Sequence, residues 1–184
     1  MILLQSFFEK TLLIFVVVKL SQPVPTLMPR NVKLSLIKDE MVKYLKHPSY
    51  KKSVLLYSKQ GYFLSIADDG KIYGTHDGFS PDAQLEVQSF GVNFKRIRKP
   101  GSWYLSIDKN GAVKAENDPK NETLFQEVID KEGWAIYRND LTGYLLAFNK
   151  NGKLQQNLKS SKVKNKAKFL LLSSFSSGGK KQKA

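Results

Sequence analysis

Three stretches, YFLSIADDGKI at residues 62–72, WYLSIDKNGAV at residues 103–113 and YLLAFNKNGKL at residues 144–154, align without a gap and recur at an interval of 41 residues. Leu64, Leu105 and Leu146 share one position of the alignment, Ile66, Ile107 and Phe148 a second, and Gly70, Gly111 and Gly152 a third. A period held over three segments signals a repeat architecture, in which each unit buries its apolar face only against its copies. Within each stretch apolar side chains alternate with small or polar ones, the period of a half-buried strand. Each then reaches Asp69-Gly70, Asn110-Gly111 or Asn151-Gly152. Such pairs predict a two-residue type I′ hairpin turn with positive φ at both central residues. No long stretch of helical period intervenes, so the folded part is expected to be all-β.

Three units of this length account for residues 50–172, the expected domain. Each has room for four short strands separated by turn-rich loops such as residues 75–82 and 116–122. Three four-stranded repeats closing around the Leu64, Leu105 and Leu146 layer make a β-trefoil with pseudo-threefold symmetry. The rival at this period is a propeller, which usually needs about four to eight blades; no GH or WD signature supports it.

The whole chain has 184 residues, 41% apolar and 25% charged, a formal charge of +14 and no cysteine. A mean hydropathy of −0.35 is too polar for a multi-span membrane protein. The absence of thiols excludes a disulfide framework, a thiolate metal site and a cysteine nucleophile. The charge predicts attraction to a polyanion, and its distribution says where. After Asp140, the last acid, come ten lysines, which supply ten of the net positive charges.

At the other end, Leu12 to Val18 is an unbroken apolar run between Lys10 and Lys19, followed by Pro23. It is far shorter than the ~20 residues of a membrane span. It reads as the apolar region of a signal peptide over residues 1–21, although Glu9 precedes it and no small-x-small cleavage site follows. Residues 22–49, with four prolines and many lysines, read as a linker, and residues 173–184 as a disordered basic tail.

With these features the chain resembles the fibroblast growth factor family over nearly all of residues 50–172. The likeness is carried by VLLYSKQGYFLSI (residues 54–66), DGKIYGTHD (69–77), SWYLSIDKNG (102–111), NETLFQEVI (121–129), NKNG (149–152) and NKA (165–167). Gly111, Ala115, Glu122, Phe125 and Glu127 fall where the family signature has them. Val113 departs from its preferred leucine, isoleucine or methionine, Thr123 from its usual cysteine and Trp134 from its usual tyrosine.

The resemblance implies a secreted ligand, monomeric alone, that binds heparan sulfate and a receptor tyrosine kinase ectodomain. An intracellular branch of the family instead binds the cytoplasmic tail of a sodium channel. The implied heparan sulfate site is the last hairpin and the loop after it: Asn149, Lys150, Lys153, Lys159, Lys162, Lys164, Lys166 and Lys168. Clustered lysines hold a line of sulfates by a salt-dependent attraction with counterion release. Gln155 and Gln156 stand where many members have a basic pair. The implied receptor positions are Tyr57, Glu127, Trp134 and Leu171, with Ala135 and His76 replacing a family asparagine and arginine. Tyr62, Phe63, Trp103, Tyr104 and Tyr144 lie inside the repeats and are expected to pack. Asn121, Glu122 and Thr123 form an N-glycosylation sequon.

Enzymatic motifs are missing: there is no GxSxG, HExxH or phosphate loop, and His47 and His76 lack ligand spacing. No cofactor, metal or catalytic residue is expected. Few aromatics accompany the late lysines, which argues against a nucleic-acid partner, and no QxW repeat points to a lectin. Once the leader is removed, no membrane insertion is expected.

Overall fold

The computed structural model describes Leu45, residues 47–159 and residues 165–174, all within one compact unit, Tyr44–Ala184. The expected leader, nearly all of the linker, Lys162, Lys164 and the tail beyond Ser174 lie outside the described residues. The strands are β1 (Tyr50–Ser58), β2 (Phe63–Ile66), β3 (Ile72–Thr75), β4 (Leu85–Phe90), β5 (Phe94–Arg98), β6 (Tyr104–Ile107), β7 (Val113–Glu116), β8 (Phe125–Ile129), β9 (Ala135–Asn139) and β10 (Phe169–Ser173).

Six of them, β1, β4, β5, β8, β9 and β10, pair antiparallel in a closed ring. Closure leaves the barrel without an exposed sheet edge. Hairpins β2–β3 and β6–β7 cap it. A third hairpin, residues 144–154, is held by the isolated bridges Arg138↔Leu145 and Phe148↔Leu154. The fold is a β-trefoil.

The first two repeats supply four strands each, as the period predicts. The third supplies β9, β10 and the two bridges, because its backbone bonds elsewhere. Leu145 N–H donates to Leu158, Phe148 to Lys166 and Gln155 to Ala147. The loop after the hairpin thus takes over part of the missing ladder and is tied to the domain by it.

The turns differ from the expected type. Gly70, Gly111 and Gly152 have φ of 82, 78 and 70°, whereas Asn157 is the sole non-glycine residue with positive φ among the described residues. In each turn the glycine N–H donates three residues back, to Ala67, Asp108 or Asn149. The N–H of that same residue donates forward to Lys71, Ala112 or Lys153. This is a type I turn closed by a left-handed glycine bulge, which asks for positive φ at one position only. Asp108 and Asn149 accept two turn N–H groups each on their side-chain oxygen, which stabilises that form.

The repeat residues build the core. Leu64, Leu105, Leu146, Ile66, Ile107 and Phe148 are all fully buried, with Leu56, Ile97, Phe125, Tyr137 and Phe169 among them. Period-two alternation puts Phe169 inside on β10, and Leu171 packs against the same core cluster. Trp103 and Tyr144 are half-buried and pack there too.

Lysine–carboxylate contacts tie the loops together. Lys99 Nζ lies 2.8 Å from Asp82 and 2.6 Å from Asp68. Tyr73 donates its hydroxyl to the other oxygen of Asp82 at 2.7 Å. Lys99, with Tyr73 second, holds the Asp82 carboxyl below its ordinary value of 3.8. Lys114 does the same to Asp108, Lys168 to Asp130, and Lys59 to Glu132. A carboxylate with a depressed folded pKa adds stability above its unfolded value and loses it as pH falls through the folded one. The unfolding midpoint should therefore drop as pH is lowered through and below that ordinary carboxylate range. Lys99→Met, which removes the partner of Asp82 and Asp68, should make the decline shallower. Parallel acid limbs in denaturant titrations of the two proteins would exclude this account.

Candidate functional site

The third hairpin and the chain after it carry the described members of the expected cationic set. Lys150, Lys153 and Lys159 are exposed and Lys166 is half-buried. Among the described residues none of Lys150, Lys153 and Lys166 pairs with a carboxylate, while Lys159 holds its ammonium 4.3 Å from the centre of the Tyr144 ring. The turn fixes the first two in place, since the Lys150 carbonyl accepts the Tyr62 hydroxyl at 3.2 Å and the Lys153 N–H donates to Asn149 at 3.0 Å. Asn149 spends its side-chain oxygen on that turn. The Lys166 carbonyl bonds to Phe148, so its amine rides on a segment anchored to the hairpin.

Lys168 is different. Its amine sits 2.6 Å from Asp130 and 3.2 Å from Glu132, and its side chain is only 13% exposed. That lysine is committed to the turn between β8 and β9. Gln156 also has a structural post, accepting the Val113 N–H at 2.7 Å and so strapping the third hairpin's exit to β7.

A second surface lies across β1, β10 and the turn before β9. Tyr57 pairs with Leu170, and Phe169 pairs with Ala135. Phe169 and Ala135 are fully buried. One step along the same antiparallel register therefore sets Trp134 beside Leu170 on the opposite, outer side, making a row Tyr57, Leu170, Trp134. Tyr57 meets the Phe63 ring at a tilt, with centres 4.9 Å apart, and Lys59 holds its ammonium 5.0 Å above Trp134.

Two of the four expected receptor positions point the other way. Leu171 pairs with the buried Leu56 and packs on the core, because strand alternation from Phe169 turns it inward. Glu127 accepts the hydroxyl of the buried Tyr137 at 2.7 Å and lies 3.5 Å from Lys95, its side chain 15% exposed. Burial, then the Glu127 charge, push the Tyr137 phenol well above its usual range. Leu170, the outward residue of β10, was legible only by counting the alternation from Phe169. His76 rests on the Tyr62 ring at 4.3 Å and contacts the Gly61 carbonyl. Asn121 opens a single 3-10 turn, Asn121–Thr123. Thr123 is fully buried, with its hydroxyl donated to Lys120.

The sequence model of the fibroblast growth factor family matches residues 52–170, from within β1 to within β10. The chain belongs to the fibroblast growth factor family. It is 32% identical over 115 residues to fibroblast growth factor 1 of Cynops pyrrhogaster, covering 59% of this chain and 77% of the relative. To fibroblast growth factor 1 of Notophthalmus viridescens it is 34% identical over 108 residues, covering 55% and 81%. A third relative, fibroblast growth factor 10 of Mus musculus, is 29% identical over 83 residues, covering 45% of this chain and 40% of its own. This fibroblast growth factor is therefore a signalling ligand and not an enzyme. The family generally binds fibroblast growth factor receptors and heparan sulfate.

Proposed function

We propose that this fibroblast growth factor is a secreted ligand that binds heparan sulfate through its third hairpin and engages a receptor tyrosine kinase ectodomain through the outer row Tyr57, Leu170 and Trp134. The observation that supports the first part best is the group of lysines on that hairpin and its exit, Lys150, Lys153, Lys159 and Lys166, none of them in an ion pair among the described residues. Unpaired ammonium groups can exchange condensed counterions for sulfates without first breaking a protein contact. Lys162 and Lys164, between Lys159 and Lys166 in the sequence, extend the set by sequence alone. Lys168 is left out because leaving Asp130 and Glu132 would cost the domain two ion pairs.

One expression experiment tests the proposal. Produced in secreting animal cells, the chain should be recovered from the medium, with the glycan at Asn121 added before folding buries Thr123. Wild type should elute from immobilised heparin at a higher salt concentration than a Lys150→Gln, Lys159→Gln, Lys166→Gln variant. The slope of log affinity against log salt should become shallower by about three, close to one per lost contact. Retention in the cytosol with an intact amino terminus would favour the channel-binding branch. Equal elution of the two proteins would remove the polysaccharide assignment.

A further inference from the structure

Where the three hairpins meet on the pseudo-threefold axis, the barrel is capped by a cavity of about 770 Å³. Its floor and rim follow the repeat. Ile72, Val113 and Leu154 occupy equivalent positions, one per hairpin, line the cavity and pack against the core. Lys71 and Lys153 are likewise equivalent, each following its turn glycine, and Ala112 stands in their place on the second hairpin. Two residues further, on the same face of β7, comes Lys114. All three lysines are exposed and line the cavity, and no carboxylate residue lines it. Asp108 contacts the Lys114 amine at 2.6 Å from outside the lining. Unlike Lys168, which is 13% exposed and holds two acids, the Lys114 side chain is 52% exposed and makes a single surface ion pair, which is worth little and exchanges readily for a sulfate. The result is an apolar floor inside a cationic rim, on a scale that takes a small ligand.

We infer that this cavity is a second subsite for a sulfated polysaccharide, in which Lys71 and Lys114 extend the footprint begun at Lys150 and Lys153. The inference rests on the heparan sulfate reading above. A sugar ring has apolar faces and, when sulfated, anionic edges. Over this cap the ring lies on Ile72, Val113 and Leu154 while its sulfates reach the rim. Lys153 belongs both to the rim and to the free lysines of the third hairpin, so one chain passes from that hairpin onto the cap without a gap in positive charge. The Gln156 strap to Val113 holds two of the hairpins at a fixed separation and so keeps the cavity open in a defined shape.

The test is heparin elution and calorimetric titration with a heparin octasaccharide across a salt series. It compares wild type, Lys71→Gln/Lys114→Gln, the hairpin triple variant, and Lys51→Gln/Lys52→Gln, which loses the same net charge on β1 away from the cavity lining. The rim variant should elute at lower salt than the β1 control, with its log–log slope shallower by about two. Its effect should add to that of the hairpin variant. Elution of the rim variant with the β1 control, while the hairpin variant still loses affinity, overturns the subsite and leaves the polysaccharide reading standing. No binding by wild type overturns both. Inorganic sulfate supplies the remaining arm: if it alone occupies the rim at millimolar concentration and octasaccharide binding is insensitive to Lys71→Gln/Lys114→Gln, the cavity is a free-anion site and the assignment fails.

Discussion

Phe148→Ala should lower the unfolding free energy by about 3–5 kcal/mol, the usual cost of emptying a phenylalanine site in a packed core. Phe148 is fully buried and sits 6.1 Å from the ring of Phe169 and 6.2 Å from that of Tyr62. It therefore joins the closing strand of the barrel to the cap of the first repeat. Two further features keep the site from collapsing around the void. The Phe148 N–H is already bonded to Lys166, and Gly74 approaches so closely that a Cβ there would meet the Phe148 ring at 3.0 Å. The backbone on both sides is thus held by other contacts, and a cavity that cannot relax is the costly kind. Ile66→Ala and Ile107→Ala, at the equivalent positions, should each cost about 2–5 kcal/mol, the range for a truncated aliphatic core residue. Because the third hairpin has only bridges where the others have ladders, Phe148 should be the worst of the three. Domains of this kind hold roughly 5–15 kcal/mol in all, so the variant should sit near its unfolding transition at body temperature. Denaturant midpoints followed by the fluorescence of Trp103 and Trp134 measure it. A loss below that of Ile107→Ala would mean that the third hairpin is not load-carrying in the core.

The repeat makes that comparison possible, and it also explains what could be read early. Leu64, Leu105 and Leu146 announce the trefoil because a strand's apolar face is written at period two and the architecture rewrites it at every unit. The turn type was not legible, since Asp-Gly and Asn-Gly serve both the two-residue turn and the glycine-bulge turn. What separates them is where the preceding N–H finds its acceptor, a three-dimensional fact. Nor could sequence divide the late lysines. Lys153 and Lys168 look alike in the chain, yet Lys153 stands free while Lys168 meets Asp130 and Glu132 from a turn more than thirty residues earlier. The same holds for Gln156, which reads as a lost charge and proves to be a strap. Leu171 and Leu170 differ by one residue and hence by a whole face of the sheet.

That last distinction sets the second large expectation. Trp134→Ala should weaken binding to a fibroblast growth factor receptor ectodomain by at least about thirtyfold, the factor that corresponds to the 2 kcal/mol of an aromatic hot spot. Tryptophan offers a large contact area for little lost rotamer freedom, and here that freedom is already restricted. The Trp134 backbone N–H donates to Asp130 at 2.9 Å and fixes the turn, while Lys59, itself 2.9 Å from Glu132, lies over the indole ring and restricts it. Lys168 grips the same two acids, so the turn that presents the indole is clamped from just past the end of β1 and from the approach to β10 together. Preorganisation of this sort lowers the ordering cost of association. Leu170→Ala, in the middle of the row, should also weaken binding, whereas Leu171→Ala should act on stability and leave the affinity of the folded protein unchanged. Lys168→Gln separates presentation from contact: it loosens the clamp without touching the row, and should reduce affinity less than Trp134→Ala while removing the stability near neutral pH that comes from the depressed Asp130 carboxyl, so that its decline in acid is shallower. Surface-bound receptor ectodomains titrated with each variant, alongside unfolding midpoints, give both numbers. If Leu171→Ala loses affinity and Leu170→Ala does not, the register-based row is wrong and the binding face must be drawn on the other side of β10.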